Sequence, residues 1–465
     1  MSTTAAPNVI RTVDPASGTP LADYVPDGTE RIESVLAAAA AAFPAWRDAG
    51  FSRRSELFAR ISRHLREHKT ELGTLITKEM GKPLVEAEAE VEKCAAGCDY
   101  YAKHAVEMLA DEHVRSNAAE SYVSFNPLGV VLAIMPWNFP FWQLFRFAAP
   151  GLMAGNVALL KHAANVTGCA LEIARIFKAC GAPAGVFETL LVAGKDMEAI
   201  LADPRVAAVT LTGSEGAGSA VASIAGKHIK KTVLELGGSD AFIVLADADL
   251  DAAAATAVRG RYQNTGQSCI AAKRFIVENA VYAEFLEKFV AKAGELVTGD
   301  PLDRATQVGP LAREDLRASI AAQVRDSLAQ GARVALGGAA LERPGYYYAP
   351  TILADVEPSM TVFREETFGP VAAVIRARDA EHVVELANDS EFGLGGNLWT
   401  RDIARGRQLA RRIETGAVFI NGMTASDPRL PFGGVKKSGY GRELSHYGIK
   451  EFVNIQTIWI GPAQT

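Results

Sequence analysis

The chain has 465 residues, 49% of them hydrophobic, a formal net charge of −6 and no dense lysine–arginine block. It is too long for one core and suits a large folded enzyme of two or three domains; a disordered scaffold, a nucleic-acid binder and a membrane-surface protein are not expected. Five cysteines and eight scattered histidines make neither a disulfide framework nor a metal site, so no metal is expected and a reducing compartment, by default the cytoplasm, fits best.

In chain order, MSTTAAPNVIRTVDPASGTPL lacks an apolar stretch behind basic residues and does not read as a secretory signal. Residues 30–115 read as mostly helical, with charged and apolar residues at helical spacing in RRSELFARISRHLREHK. SYVSFNPLG, residues 121–129, alternates like a strand. From Gly129 to Leu160 the chain carries a single charge, Arg146, and is long enough to span a bilayer. Pro136, Asn138, Pro140, Pro150 and Asn156 interrupt it, and an arginine near mid-span is costly. The spacing predicts a buried strand (130–135), a polar turn, a helix from about 141 to 153 and a second strand (157–160). A helix through GCALEIARIFKAC, then VFETLLV, VAAVTL and TVLEL continue an alternation that implies a doubly wound parallel sheet. A second α/β rhythm follows Gly237, with FIVL, a helix near 249–262, FIVE, a helix from Tyr282, VGPL and VAAVIRA.

Several stretches carry chemistry. GRYQNTGQSCIAAKRF, residues 260–275, sets Cys269 in polar, glycine-containing company with Lys273 and Arg274 just beyond; a loop cysteine near cations reads as a reactive thiolate. Cys94, Cys98, Cys169 and Cys180 lie in apolar, helix-like stretches and read as packing. TGSEGAG, residues 212–218, follows a strand and opens a helix, where backbone N–H groups bind pyrophosphate, although glycine turns after strands are common. LELGGSD places Glu235 at a strand end before two glycines; taken alone it reads first as a loop carboxylate, and as a base only if buried. PWNFP holds Asn138 between two stiffening prolines, which suits either a preorganised donor or a turn around a buried Trp.

PWNFP, LLKH, TGS, LELGG, GQSC, EETFGP and PFGGVKKSG occur in this order, and with them the chain resembles the aldehyde dehydrogenase superfamily from end to end. Within it the chain is similar to the shorter bacterial succinate-semialdehyde dehydrogenases. The resemblance implies an α/β fold with a Rossmann-type dinucleotide-binding domain (1–117 and 129–236), an α/β catalytic domain (237–437) and small oligomerisation strands (118–128 and 438–465). A homodimer or homotetramer is the implied assembly. The tail FVNIQTIWI alternates like an edge strand that seeks a partner.

The resemblance also implies site residues. Cys269 is the nucleophile that passes through thiohemiacetal and thioester, Glu235 activates the hydrolytic water, Asn138 with the Cys269 N–H holds the oxyanion, and Glu443 takes part in proton passage. Trp137 and Lys161 fall beside the adenosine and its ribose, Gly213 and Ser214 at the pyrophosphate, Glu366 and Phe368 at the nicotinamide end. Ala164 stands where NAD-preferring relatives carry a glutamate that repels a 2′-phosphate, and His162 where a proline is usual, so both NAD and NADP are expected. Arg146 and Ser426 match residues that grip a distal carboxylate. A second arginine of that set is Gln263 here, with Arg259, Arg261 or Arg429 as replacements. The expected reaction is oxidation of succinate semialdehyde. The alternatives are another aldehyde (glutarate semialdehyde, aminobutyraldehyde or an aliphatic one), a CoA-acylating relative, which Glu235 argues against, and a catalytically silent protein on the same fold.

Overall fold

The computed structural model describes residues 9–461. The outermost parts of the first and last expected segments, residues 1–8 and 462–465, lie outside the described residues. The helical reading of the N-terminal stretch resolves into four helices, Thr29–Arg47, Gly50–Glu67, Lys69–Met80 and Leu84–Met108. Gly50–Glu67 buries Leu57, Phe58, Ile61 and Leu65, one stripe of a 3.6-residue period.

The apolar stretch from 129 to 160 folds as strand Val130–Met135, helix Trp142–Met153 and strand Val157–His162. Every residue of Trp142–Met153 is buried, as expected for a helix that is apolar nearly all round. Among the described residues no helix is long and apolar enough to cross a membrane. The two strands pair in parallel within a six-stranded sheet ordered Gly439–Tyr440, Lys231–Glu235, Val206–Thr212, Val130–Met135, Val157–His162, Phe187–Thr189. Its one antiparallel member is the short strand Gly439–Tyr440, paired with Lys231–Glu235. That late return of the chain brings the segment around Glu443 to the strand end that carries Glu235.

A seven-stranded sheet runs Arg333–Leu336, Thr351–Ala354, Val371–Ala377, Ala272–Glu278, Asp240–Val244, Gly395–Trp399, Ala417–Ile420. It is parallel except at the Arg333–Leu336 edge. VGPL takes no part in it: Val308 makes an isolated bridge to Thr298. VFETLLV contributes only Phe187–Thr189, because Pro183 and Gly185 hold the chain in a turn just ahead of it. A three-stranded antiparallel sheet joins Val453–Ile460, Glu120–Pro127 and Glu112–His113. Val453–Ile460 is its edge and leaves Ile455 and Trp459 more than half exposed, at 60% and 53%.

Candidate active site

Cys269 sits at the end of a strained loop. Helix Leu250–Tyr262 runs into the single turn Gln263–Gly266, where Asn264 and Thr265 hold φ of 54° and 55° in succession. Asparagine tolerates the left-handed region, whereas β-branched threonine enters it at a cost of roughly 1–2 kcal/mol. The Thr265 hydroxyl offsets this by accepting from Gly309 N–H at 3.1 Å and donating to Gly309 O at 3.3 Å. Arg261, with no exposed surface, donates to the carbonyls of Gly266 (2.6 Å), Gly369 (2.8 Å) and Ala272 (2.9 Å) and clamps the loop from beneath. It is thus a brace of the loop and unavailable as a replacement cation for substrate; Arg429 pairs with Asp427 near the surface.

Cys94, Cys98, Cys169 and Cys180 are buried, and Cys269 is the partly accessible one. Burial pushes the Cys269 thiol up to about 12, against the opposing pull of Arg146 and Lys273. The cations expected beside the sulfur are thus present, but burial outweighs them. Lys273 Nζ donates to the carbonyls of Cys269 (2.9 Å), Ser268 (3.1 Å) and Ala271 (3.2 Å), and it pairs with Glu366 at 3.4 Å.

Asn138 is aimed by its neighbours. One N–H of its Nδ2 donates to Gln267 O at 3.0 Å, its Oδ1 accepts from Gln143 Nε2 at 3.0 Å, and its carbonyl accepts from Asn264 Nδ2 at 2.9 Å. The carboxamide cannot flip without breaking the bond from Gln143, which leaves its second N–H unused, and Asn138 shares a cavity wall with Cys269. This is the fixed donor geometry an oxyanion requires.

Arg146, in the cavity wall with Cys269, joins a buried acid pair. Glu235 ends strand Lys231–Glu235 and is 2% exposed; neither of its oxygens accepts a hydrogen bond from the described residues. A Cβ at Gly433 (φ 152°) would stand 2.7 Å from Glu235 Oε1, so only glycine lets the C-terminal motif back onto this carboxyl. Glu443 is 4% exposed and forms an ion pair with Arg146. Burial, and then the neighbouring Glu443 charge, raise the Glu235 carboxyl well above the usual carboxylate range; burial also raises Glu443, with Arg146 opposing. Two carboxyls around one guanidinium favour retention of a proton between them.

Two cavities meet at Cys269. One, of about 370 Å³, is lined by Trp137, Asn138, Gly213, Ser214, Glu366 and Phe368 together with Cys269. Gly213 and Ser214 open helix Glu215–Lys227, whose N-cap Ser214 Oγ accepts from Ala217 N–H, and Trp137 meets Phe368 edge to face with centroids 5.7 Å apart. Glu366 accepts from Gly238 N–H at 2.9 Å and is raised by burial against Lys273. The other, of about 110 Å³, is lined by Arg146, Gln263 and Ser426 together with Cys269. It shares Gln263 and Met423 with a wider cavity of about 470 Å³ that also contains Arg259. Glu235 and Glu443 line neither.

Lys161 and Ala164 line a separate cavity of about 350 Å³, with Asp27, Lys195 and Asp196. Lys161 is lowered by burial and forms no ion pair or side-chain hydrogen bond among the described residues. A half-buried cation without a partner fits a phosphate or ribose of a dinucleotide. Beside it His162, pushed down to about 4 by burial, is neutral: its Nε2–H donates to Pro140 O at 2.9 Å and Nδ1 accepts from Ala163 N–H at 3.0 Å. The departure from proline at this position thus ties the Lys161 strand to the turn that carries Asn138.

Sequence reasoning missed Gln143, which orients Asn138, Arg313, whose guanidinium lies 5.6 Å from the Trp137 ring centre, and Lys93, which lines the 110 Å³ cavity. Arg146, expected to grip a substrate carboxylate, does line that cavity, but its charge is matched by Glu443, its Nη2 donates to Thr212 Oγ1 at 3.3 Å, and it stacks 4.4 Å from the Phe432 ring centre.

Comparison with known proteins gives a match to the family model described as aldehyde dehydrogenase family over residues 2–458. The succinate semialdehyde dehydrogenase [NAD(P)+] Sad of Escherichia coli (strain K12) is 52% identical over 459 residues, covering 99% of each chain. The succinate-semialdehyde dehydrogenase [NADP(+)] 1 of Mycobacterium tuberculosis (strain ATCC 25618 / H37Rv) is 52% identical over 454 residues, 97% of this chain and 99% of that one. The crystal structure of succinic semialdehyde dehydrogenase from Streptococcus pyogenes in complex with NADP+ superposes with a TM-score of 0.95 at 37% identity, covering 97% of this chain and 100% of the other.

Proposed function

The chain belongs to the aldehyde dehydrogenase family, and on that footing we propose that it oxidises succinate semialdehyde to succinate with NAD or NADP. The observation that carries this reading is the position of Cys269 in the wall shared by a 370 Å³ cavity with dinucleotide-type lining and a 110 Å³ cavity with cationic lining. The second is far below the roughly 300–1,000 Å³ of drug-sized sites and suits a short aldehyde.

The mechanism follows from the residues. The raised Cys269 thiol is activated as its proton passes toward the Glu235–Glu443 pair, and the sulfur adds to the aldehyde carbon while the free Asn138 N–H and the Cys269 N–H take up the charge on oxygen. The lining at Trp137, Gly213, Ser214, Glu366 and Phe368 supports the nicotinamide and pyrophosphate end of the dinucleotide, and Lys161 beside Ala164 the adenosine ribose, with or without a 2′-phosphate. When bound, the dinucleotide supplies the hydride acceptor that converts the thiohemiacetal to a thioester. Once the thiol's proton has left the pair for solvent, Glu235 takes a proton from the water that hydrolyses the thioester, and Glu443 with Arg146 sets how readily that proton is held. Arg146, Ser426 and Gln263 bound the space for the remainder of the aldehyde. The exposed edge Val453–Ile460 supports a homodimer or a pair of dimers, and five unpaired cysteines support a reducing compartment such as the cytoplasm.

Steady-state kinetics with succinate semialdehyde, glutarate semialdehyde and butanal, each with both dinucleotides, test the proposal. The expected result is the highest kcat/KM on succinate semialdehyde, at least about tenfold above butanal. Equal values would overturn the substrate, and no dinucleotide reduction with any aldehyde would overturn the activity.

A further inference from the structure

Leu84–Met108 carries two carboxylates one helical turn apart, and so on one face, that reach the two segments flanking the thiol. Glu90 pairs with the buried Lys82 and accepts from Phe141 N–H (2.9 Å) and Trp142 N–H (3.0 Å), which fixes the chain just beyond Asn138. Glu86, in the first turn of the helix, accepts from Asn264 N–H at 2.7 Å, across 178 residues of sequence. The charge of Glu90 is matched. That of Glu86 is not: it has no basic group within 4.0 Å among the described residues, and Asn264 N–H is the only hydrogen bond its carboxylate receives from them.

Asn264 is where the catalytic loop joins the oxyanion turn. With Thr265 it stands in the left-handed region, and Gly266 follows at φ 74°. Its carboxamide uses both N–H donors inside the site, one on Asn138 O and one on Gln267 O, each at 2.9 Å. Gln267 O also accepts from Asn138 Nδ2 at 3.0 Å. Asn138, Asn264 and the residue two before Cys269 thus form one closed set of bonds. Gly309 holds Thr265 and Arg261 holds Gly266, whereas the backbone N–H of Asn264 has Glu86 as its acceptor. A hydrogen bond to an ionised carboxylate is roughly twice as strong as a neutral one.

Glu86 lines the wider cavity of about 470 Å³ together with Gln263, the residue before Asn264. Arg259, Tyr262 and Arg304 face it there, Arg304 being paired with Glu88, and Lys82 lies just ahead of its own helix. Burial outweighs the pull of Asn264 N–H and Lys82 and raises the Glu86 carboxyl to about 7, so its charge changes near neutral pH.

We infer that Glu86 is a positioning residue of the reaction: by holding Asn264 N–H it fixes the left-handed turn that ties the oxyanion donor Asn138 to the nucleophile Cys269. It acts through Asn264 and touches no reacting atom. The inference rests on the Cys269 chemistry proposed above and is independent of which aldehyde is oxidised.

The test compares the wild type with Glu86→Gln and Glu86→Leu. Glutamine keeps an acceptor oxygen and does not titrate; leucine keeps the bulk and accepts nothing. The burst rate of reduced dinucleotide per titrated thiol is expected to fall about 10–100-fold in Glu86→Leu, on succinate semialdehyde and butanal alike. KM for the dinucleotide should stay within about twofold, and Glu86→Gln should keep a burst rate within about threefold of the wild type at about pH 8. A merely structural carboxylate would lower the melting temperature or the yield and leave the rate per thiol unchanged, and that outcome in Glu86→Leu overturns the inference. The second readout is the ratio of wild-type to Glu86→Gln kcat against pH. Cys269 and Glu235 are common to both proteins, so their titrations cancel. The ratio is expected to rise about two- to threefold between about pH 6 and pH 8, as the wild-type carboxyl ionises and its bond to Asn264 strengthens. Should Glu86→Leu not fold, a flat ratio overturns the inference in its place. If the wild type reduces no dinucleotide with any aldehyde, the activity reading fails, and the rate of Cys269 alkylation by iodoacetamide, followed on that peptide by mass spectrometry, decides for Glu86. Slowing of about tenfold in Glu86→Leu supports its role, and an unchanged rate overturns it.

Discussion

The two cavities that meet at Cys269 are built differently. The dinucleotide side is walled by residues a step or two beyond strand ends or on tight turns: Trp137 after Val130–Met135, Gly213 and Ser214 after Val206–Thr212, Gly237 after Lys231–Glu235. The substrate side is walled by side chains from two packed helices, Lys93 from one and Trp142, Gln143 and Arg146 from the other, with the segment around Ser426 closing it. In the proposed reaction, chemistry common to all aldehydes is thus held by strand ends, where backbone geometry is stiff. Discrimination among aldehydes is left to helix-borne side chains that can change without moving the thiol.

That division fails if variants at Cys269 or Glu235 affect one aldehyde only. Cys269→Ser is expected to lower kcat by at least about 10³-fold for acidic and neutral aldehydes alike, and denaturing mass spectrometry should lose the acyl adduct. Glu235→Gln should cost about 10²–10⁴-fold in turnover and slow, without abolishing, the burst of reduced dinucleotide in a rapid-mixing trace. Thioester formation without hydrolysis would place Glu235 at the second step; loss of the burst would place it at thiol activation as well.

Arg146 sharpens the comparison because it touches both sides. Arg146→Met is expected to reduce kcat by about 10–100-fold on both butanal and succinate semialdehyde, and to lower the kcat/KM preference for succinate semialdehyde as well, since the guanidinium also lines the substrate cavity. It also leaves two buried carboxyls without their cation, a loss of the kind that costs roughly 3–5 kcal/mol when one partner of a buried pair is removed. A carboxyl whose folded pKa is raised above its unfolded value weakens the fold as pH rises past the unfolded value, and the guanidinium limits that rise for Glu443. Thermal unfolding should therefore separate wild type from Arg146→Met more at pH 8 than at pH 5.

How far all this was legible follows the same line. Val130–Met135, Trp142–Met153 and Val206–Thr212 announce themselves because each is a continuous or periodic apolar run bounded by proline or glycine. Cys269 stands out locally because of its polar, glycine-containing company, whereas Asn138 and Glu235 are marked as candidates only by the family resemblance. Gly395–Trp399 escapes because two glycines dilute its pattern, and Thr351–Ala354 because four residues show no period. VGPL misleads because an apolar tetrapeptide fits a loop as well as a strand. Glu86 and Gln143 carry no local signal at all: their roles exist only once Leu84–Met108 and Trp142–Met153 are packed against the segments they hold.

On the dinucleotide side, Ala164→Glu should place a carboxylate in the cavity of Lys161 and lower kcat/KM for NADP relative to NAD by about 30-fold, since like charges brought together cost several kcal/mol before screening. The wild-type ratio should stay below about a thousand in favour of NAD, equivalent to roughly 4 kcal/mol.

The smallest expected effect probes the substrate side through pH. Burial, and then the nearby Arg146 charge, pull Lys93 down to about 8, with Cys94 and Glu90 on its own helix and Asp427 beside Ser426 opposing. A lysine so lowered is protonated below that value and neutral above it, so the second cation of the cavity wall, beside Arg146, is lost as pH rises. KM for succinate semialdehyde should then climb about three- to tenfold between about pH 7 and pH 9, while KM for butanal, which has no charge to place there, should not follow. Cys269 and Glu235 act on both aldehydes, so any titration of theirs cancels in the ratio of the two kcat/KM values. A ratio that stays flat across this range would leave the carboxylate to Arg146 alone, whose guanidinium keeps its proton throughout, and the substrate side would then owe its charge to one helix instead of two.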